Sequence, residues 1–145
     1  MKITIEDVLP DAEDEIVIRC SSLDDDLMQL IYALKSGRTK INAYSDDGIM
    51  QLEPKDIFYF EAVDNKVFAC CEKNVYEVRE KLYEIEKMYE RSDFMRISKS
   101  MIADVSKISR INPAFNSRME AVMKNGEKII ISRQYVPDLK KKLGV

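Results

Sequence analysis

Histidine is absent from all 145 residues, which removes the commonest general base and the commonest metal ligand of protein active sites. The three cysteines, Cys20, Cys70 and Cys71, lack the spacing of a zinc or redox motif, and no glycine-rich loop is present to hold phosphates. Carboxylates are plentiful, but the sequence does not show that any pair converges. We therefore expect no catalysis, no cofactor and no metal site.

Glycine and proline are scarce, with four of each, which argues against a disordered or fibrous chain. No apolar run approaches the roughly 18 residues that cross a bilayer, and the acidic start "MKITIEDVLPDAEDE" is unlike a secretory signal. An odd number of cysteines, two of them adjacent, makes a poor disulfide framework. These features predict one cytoplasmic domain, with or without a small extension, whose cysteines stay reduced.

The charges that are present are unevenly distributed. Residues 1–90 hold 11 Lys and Arg against 21 Asp and Glu, a balance of −10, whereas residues 91–145 hold 12 against 5, a balance of +7. Such polarity is typical of a protein whose basic part binds a polyanion such as nucleic acid. The alternative is that the two halves interleave in space and neutralise each other, and charge alone does not choose between these interpretations.

The N-terminal residues combine strand and helix patterns. The segments "MKITIEDV" and "EIVIRC" alternate apolar and polar residues, as half-buried strands do. A helix over residues 23–34 is predicted by a capping-box pattern from Ser22 to Asp25, by Gly37 after its last turn, and by apolar residues at helical spacing. We expect this segment to pack onto the rest of the fold. The apolar residues are Leu23, Leu27, Leu30, Ile31 and Leu34.

From residue 39 the apolar period changes to two, which is typical of β-strands. Asp47-Gly48 and Asn125-Gly126 mark two hairpin turns. Further strands are predicted at 57–62, 67–71 and 75–78, with Lys66 at a hairpin tip, and at "FMRIS" and "KISRIN". A helix over 78–89 and a short helix in "QYVPDLKKKLGV" complete a mainly β, α+β fold with a mid-sequence helix.

Cationic and polar residues recur near these predicted turns and strand ends, mostly in the basic half. Arg and Lys can donate to guanine O6 and N7 or neutralise phosphate, and hydroxyls and amides can do either. Because exposed turns are polar in most proteins, no single member of this group indicates a function. The group comprises Lys66, Ser98, Lys99, Ser100, Lys124, Asn125 and Arg133.

Four blocks of sequence resemble the LytTR DNA-binding domain of bacterial transcriptional regulators: "DIFYFEAVDNKVFA", "VYEVREKLYEIEKMY", "FMRISKSMIADVSKISRI" and "NGEKIIISRQYVPDLKKKLG". The resemblance covers residues 40–145, and residues 1–39 precede it as a strand-helix extension. It implies an elongated, mainly β fold that binds double-stranded DNA sequence-specifically. Loops, not a recognition helix, would enter successive major grooves. Two protein copies would commonly bind direct repeats, so the resemblance also implies a homodimer.

The resemblance also implies roles for individual residues. Three positions match those that contact bases, and two match those that contact phosphate. Ser98 and Ser100 flank one of the base-contacting positions. The implied base-contacting residues are Lys66, Lys99 and Arg133, and the implied phosphate-contacting residues are Arg118 and Lys124.

Three positions qualify this assignment. Arg96 stays open between a DNA contact and an internal ion pair. Ser98 stands where many members have histidine, which would change the bases that are read. Asp104 stands where members have asparagine, which would weaken a turn or repel phosphate.

The extension is too short to hold the receiver domain that precedes many LytTR modules, so we expect regulation by a partner, such as a small membrane protein. Helix 23–34 is the candidate for a dimer or partner surface, although packing of its leucine stripe on the sheet is favoured. The competing functional interpretation is a protein-interaction module that has lost DNA binding and captures a regulator through its acidic N-terminal surface.

Overall fold

Ten strands and three helices are present in the computed structural model, which describes residues 2–36 and 39–145. They confirm the predicted mainly β, α+β class. No helix of the described ranges is long and apolar enough to cross a membrane. The helices are α1 (Asp25–Ser36), α2 (Leu82–Met88) and α3 (Val136–Leu143). The strands are β1 (Ile41–Ser45), β2 (Gly48–Leu52), β3 (Ile57–Val63), β4 (Lys66–Cys71), β5 (Val75–Val78), β6 (Phe94–Ser98), β7 (Met101–Asp104), β8 (Ile108–Pro113), β9 (Met119–Met123) and β10 (Lys128–Ile131).

Seven strands form the larger antiparallel sheet, in the order β2-β1-β5-β4-β3-β7-β6. Strands β3, β4 and β5 fall within one residue of their predicted bounds. Strand β7, which was not predicted, pairs with β3 on one side and with β6 on the other. The β1–β2 hairpin is confirmed, but Asp46 and Asp47 form its turn and Gly48, with φ of 122°, already pairs with Ser45.

The three remaining strands form a smaller sheet, in the order β10-β9-β8, whose β9–β10 hairpin was predicted. Each face of the larger sheet has its own core. On one face, Phe58 and Ile97 pack with Met123 and Ile131 of the smaller sheet and with Leu139 of α3. The other core joins larger-sheet residues to Leu82, Ile85 and Tyr89 of the α2 region. Burial of these apolar side chains fixes both sheets in register.

Helix α2 is shorter than the predicted span of 78–89. Val78 belongs to β5 and pairs with Val67, so the helix begins only at Leu82. Just after the helix, Tyr89 is fully buried, with ring centroids 6.1 Å from Phe60 and 5.0 Å from Phe94. The Tyr89 hydroxyl donates a hydrogen bond to the Thr39 carbonyl at 2.6 Å, which satisfies its polar end inside the core.

The two predicted N-terminal strands were wrong, and so was the expected packing of this segment. Residues 2–24 form no strand, and nearly all their side chains are exposed, Ile5 to 89% and Val17 to 64%. A strand requires a hydrogen-bonding neighbour as well as an alternating pattern. No described strand pairs with this segment, so its pattern alone produced no sheet.

Helix α1 forms, but its start differs from the prediction. Asp24 Oδ1 accepts a hydrogen bond from Leu27 N at 2.8 Å, so Asp24 caps the helix, and the box predicted from Ser22 to Asp25 is replaced. Gly37, the predicted stop, lies outside the described residues. The stripe residues Leu27, Ile31 and Leu34 are only half-buried.

Candidate nucleic-acid interface

Two turns of the larger sheet lie side by side at one end, which we call the loop end. Strand β3 finishes at Val63, which pairs with Lys66 across the β3–β4 turn. Strand β7 starts at the same end, because Ala62 N donates to Ser100 O at 2.8 Å and Glu61 pairs with Met101. Antiparallel pairing of neighbouring strands therefore brings the two turns together from positions more than 30 residues apart.

The β3–β4 turn presents Lys66 to solvent. Asp64 and Asn65 form the turn with φ of 51° and 64°, a left-handed pair that matches the twist of a two-residue hairpin. Lys66 therefore opens β4 and does not sit at the tip itself. Its side chain is 63% exposed and lies 4.0 Å from Glu77, a separation at which an exposed ion pair contributes little.

The β6–β7 turn contains the polar triplet from Ser98 to Ser100. Ser98 pairs with Met101, so Lys99 and Ser100 form the turn. Ser98 Oγ accepts a hydrogen bond from Ser100 N at 3.3 Å, which uses one acceptor site of the Ser98 hydroxyl oxygen. Lys99 and Ser100 are exposed, and the Lys99 side chain makes no ion pair with the described residues.

Arg133 and Arg118 belong to the same end of the molecule. Ser132 N donates to Ile97 O at 2.9 Å, so Arg133 follows β10 directly beside the β6–β7 turn. Ile131 pairs with Met119, which places Arg118 at the same end of the smaller sheet. Both arginines are exposed. Leu139 of α3, fully buried in the adjoining core, anchors the chain just beyond Arg133.

Lys124 does not join this group. Its amide donates to Lys107 O at 2.8 Å, and the neighbouring Asn125 amide lies 3.5 Å from Glu72 O, beyond the end of β4. Strand β9 runs from Met119 at the loop end toward Lys124 at the opposite end. The structure thus gathers Lys66, Ser98, Lys99, Ser100, Arg118 and Arg133 at the loop end and places Lys124 away from them.

Two other cations of the basic half serve the fold. Arg96 Nε lies 3.8 Å from Glu86 Oε2, with the Arg96 side chain 21% exposed and that of Glu86 47% exposed, so the structure shows the ion-pair alternative for Arg96. Arg96 Nη1 is buried without a hydrogen-bond partner among the described residues. Lys107 Nζ donates to Asp104 Oδ2 and to Ile57 O, each at 2.8 Å. A count of basic residues therefore overstated the surface available to a polyanion.

Asp104 is buried and fully engaged, contrary to the expectation that it would weaken a turn or repel phosphate. Its Oδ1 accepts hydrogen bonds from Ser106 N at 3.0 Å and from Ser106 Oγ at 2.6 Å. Its Oδ2 binds Lys107. The carboxylate thus caps the turn after β7, and the Lys107 ammonium compensates its charge.

The titration-sensitive groups lie inside the fold, away from the loop end. Burial raises the pKa of the Cys70 thiol to about 11. Burial, followed by the hydrogen bond between Tyr59 and Glu127, raises the pKa of Tyr59 well above its usual range. The described residues contain no group of three or more Cys, Asp and Glu able to hold a metal ion. What the loop end offers chemically is exposed hydrogen-bond donors and cations.

Comparison with known proteins points the same way. The family model described as "LytTr DNA-binding domain" matches residues 47–144. The sensory transduction protein LytT of Bacillus anthracis is 35% identical over 100 residues, which are 69% of this chain and 41% of LytT. The LytT protein of Bacillus subtilis is 34% identical over 110 residues, or 76% of this chain and 46% of that protein. The chain thus spans less than half the length of these relatives.

Two further similarities extend this comparison. An uncharacterized HTH-type transcriptional regulator of Staphylococcus aureus (strain NCTC 8325 / PS 47) is 25% identical over 138 residues, covering 93% of this chain and 92% of that protein. The solved LytTr DNA-binding domain of a Bacillus cereus protein superposes with a TM-score of 0.70 at 28% identity, covering 75% of this chain and all of that domain. With a family match over most of its length and the same fold, this chain belongs to the LytTR DNA-binding domain family.

Proposed function

We propose that this protein is a transcriptional regulator that binds double-stranded DNA sequence-specifically through its loop end. Membership of a DNA-binding family supports the general activity. The observation that supports the finer assignment is the shared position of three exposed cations, Lys66, Lys99 and Arg133, on two adjacent turns and the segment after β10. Loops at the end of a rigid sheet can present donors to base edges without a helix in the groove.

The members of the loop end differ in what they are suited to do. Arg133 has a planar guanidinium that can donate two hydrogen bonds to guanine O6 and N7, and α3 fixes the backbone beyond it. Lys66 and Lys99 carry mobile ammonium groups that suit single acceptors, with the Ser98 and Ser100 hydroxyls alongside. Arg118, at the margin of the group, is assigned to phosphate.

Lys124 has no place in this proposed interface, because it lies at the opposite end of the smaller sheet. The earlier inference that it contacts phosphate therefore gains no support from the geometry. We further propose that residues 40–145 form the DNA-binding module and residues 1–39 an extension to it. Binding as two copies on direct repeats follows from the family resemblance and belongs to the same proposal.

Replacement of the two arginines by alanine tests the assignment. For Arg133→Ala, we expect the affinity for the preferred duplex to fall by about 1–3 kcal/mol with little change on random duplex, because a base contact is lost. For Arg118→Ala, we expect an equal loss on both duplexes and a salt slope that is smaller by about one, because a phosphate contact is lost. Fluorescence anisotropy from about 50 to 200 mM salt measures both quantities.

Lys128→Ala is the matched control, since Lys128 is exposed on β10 at the end remote from the loop end. Its affinity and its salt slope should equal those of the wild type. Equal losses on both duplexes for Arg133→Ala would refute its role in base recognition. Absence of any duplex binding by the wild type at low salt would favour the alternative, a protein-interaction module that has lost DNA binding.

A further inference from the structure

The segment before α1, residues 2–24, is called the arm, and it exposes more apolar surface than a free segment should. Of the 18 large hydrophobic side chains exposed among the described residues, nine lie in residues 2–36. Ile3, Ile5 and Leu9 are 83%, 89% and 73% exposed. Only two backbone hydrogen bonds of the described residues involve the arm: Ala12 N donates to Leu9 O, and Asp24 O accepts from Met28 N of α1. Apolar side chains and unpaired backbone in one segment indicate a docking element.

The charge of the arm restricts what it can dock onto. The arm carries seven carboxylates against two cations, Lys2 and Arg19, a balance of −5. Two arms in contact would bring like charges together, which is unfavourable. The complementary surface is therefore cationic, with apolar side chains between its charges. The seven carboxylates are Glu6, Asp7, Asp11, Glu13, Asp14, Glu15 and Asp24.

A surface of that kind lies at the end of the molecule opposite the loop end. It is a cleft of about 960 Å³ between α1 and the larger sheet, and we call it the basic cleft. Its apolar lining includes Leu34 and Phe58. Five cations and three carboxylates also line it, which gives a charge balance of +2. The carboxylates are Glu90, Asp93 and Asp104. Asp104 is already paired with Lys107. The five cations are Lys55, Arg91, Lys107, Lys124 and Lys142.

We propose that the basic cleft of one protein copy holds the arm of a second copy, and that the two copies exchange arms reciprocally. No residue of a copy's own arm lines its cleft, which α1 bounds through Leu30 and Leu34. Each copy supplies one arm and one cleft, so exchange leaves no arm unpaired and closes the assembly at two copies. Apolar contacts supply most of the driving force, and the opposite charges set the choice of partner.

The charge of the chain itself favours a second copy over a foreign partner. The complementary charge needed by the arm is present on this same chain, in a cleft that nothing else in the described residues fills. The Staphylococcus aureus regulator aligns over 93% of this chain, so the alignment includes most of the extension, and the two proteins share their overall length. That regulator thus has a segment that aligns with most of residues 1–39.

The exchange does not rest on the proposed DNA contacts. The basic cleft and the loop end lie at opposite ends, so both can be occupied at once. It also gives Lys124 a role, because the cation that does not belong to the loop end lines the cleft. Self-association can therefore be measured in the absence of DNA, and its outcome is independent of base recognition.

A charge exchange between two variants of the full chain tests this inference by sedimentation equilibrium without DNA. The cleft variant is Lys55→Glu/Lys124→Glu, and the arm variant is Glu13→Lys/Asp14→Lys/Glu15→Lys. We expect a wild-type dimer, and a dissociation constant at least about tenfold higher for each variant alone, because like charges then face each other. An equimolar mixture should restore the dimer, since both arm–cleft contacts in the mixed pair are again complementary.

Circular dichroism of each variant confirms that it folds, and Lys66→Glu/Lys99→Glu at the loop end is the matched control that should dimerise as the wild type does. A wild-type chain that stays monomeric at every concentration would overturn the proposal. So would variants that each dimerise normally, or a mixture that stays monomeric while both components are folded. Restoration only in the mixture distinguishes arm exchange from a general effect of net charge.

Discussion

At the scale of single residues, cations of the same formal charge differ in their solvent exposure and in their ion-pair partners. Lys99, Arg118 and Arg133 project into solvent without an ion pair to any described residue, whereas Arg96 and Lys107 are largely buried. A buried cation is retained where carboxylates and carbonyls replace its water. Lys107 illustrates this, because it joins the turn after β7 to the carbonyl of Ile57 on β3.

Replacement of Lys107 by alanine should therefore destabilise the fold. The change leaves the buried Asp104 carboxylate without its cation and the Ile57 carbonyl without a donor, and we expect a loss of about 2–3 kcal/mol in the free energy of unfolding. Urea unfolding followed by circular dichroism measures the loss. Lys128→Ala, an exposed lysine truncated in the same way, is the control and should change stability by less than about 0.5 kcal/mol. Equal losses for the two variants would contradict the assigned role.

At the scale of elements, the sequence predicted best those strands whose pairing partner follows directly in the chain after a short turn. Strands β3 to β5 and the β9–β10 hairpin follow from alternation and turn residues, because each is joined to its neighbour by a short connection. The N-terminal strands failed since their alternation lacked a partner strand. Strand β7 was missed because its four residues, Met101–Asp104, are too few to show a period between two cationic segments.

The candidate site was predictable in composition but not in arrangement. The family resemblance selected Lys66, Lys99 and Arg133, and strand order then brought them to one end. Lys124 occupies a hairpin turn of similar composition, yet the direction of β9 carries it to the opposite end. No local pattern encodes that direction, because it depends on how the smaller sheet packs on the larger one.

The turn that presents Lys66 has a testable backbone requirement. Asn65 has a φ of 64°, a left-handed conformation that asparagine tolerates and β-branched residues do not. For Asn65→Val, we expect the free energy of unfolding to fall by about 1–2 kcal/mol, and DNA affinity to fall as Lys66 shifts. Chemical denaturation and duplex titration measure these effects.

Asn42→Val is the matched control for this change. Asn42 is exposed on β1, where it pairs with Gln51 in an extended strand that favours valine. The same chemical substitution should therefore change stability there by less than about 0.5 kcal/mol. If both valine variants unfold at the same urea concentration, the left-handed turn does not limit the stability of this hairpin.

At the scale of the whole molecule, the parts are arranged along one axis. Exposed cations occupy the loop end, two cores lie on the two faces of the larger sheet, and the basic cleft lies at the opposite end. Among the ion pairs of the described residues, only that of Arg96 with Glu86 joins the basic second part to the acidic first part. The other pairs lie within one part or the other. The polarity read from the sequence therefore persists in the fold.

The cores that join the two ends should make stability sensitive to alkaline pH. Burial raises the pKa of Cys70 to about 11, and it raises the pKa values of Tyr59 and Tyr89 well above their usual range. The unfolded chain therefore binds fewer protons than the folded chain at alkaline pH, so the free energy of unfolding falls as pH rises. For Cys70, the stabilisation is complete below an ordinary thiol pKa of about 8.5 and is lost between that value and about 11.

Urea unfolding at several pH values from about 7.5 to 10.5 measures this slope. Cys70→Ala removes one of the groups responsible, so its free energy of unfolding, although lower throughout, should decline less steeply with pH than that of the wild type. Cys20→Ala is the matched control, because Cys20 is exposed in the arm and its removal should leave the slope unchanged. A wild-type stability that stays constant or increases up to pH of about 10.5 would contradict the buried, protonated state of these groups, and with it the packing that holds the two ends together.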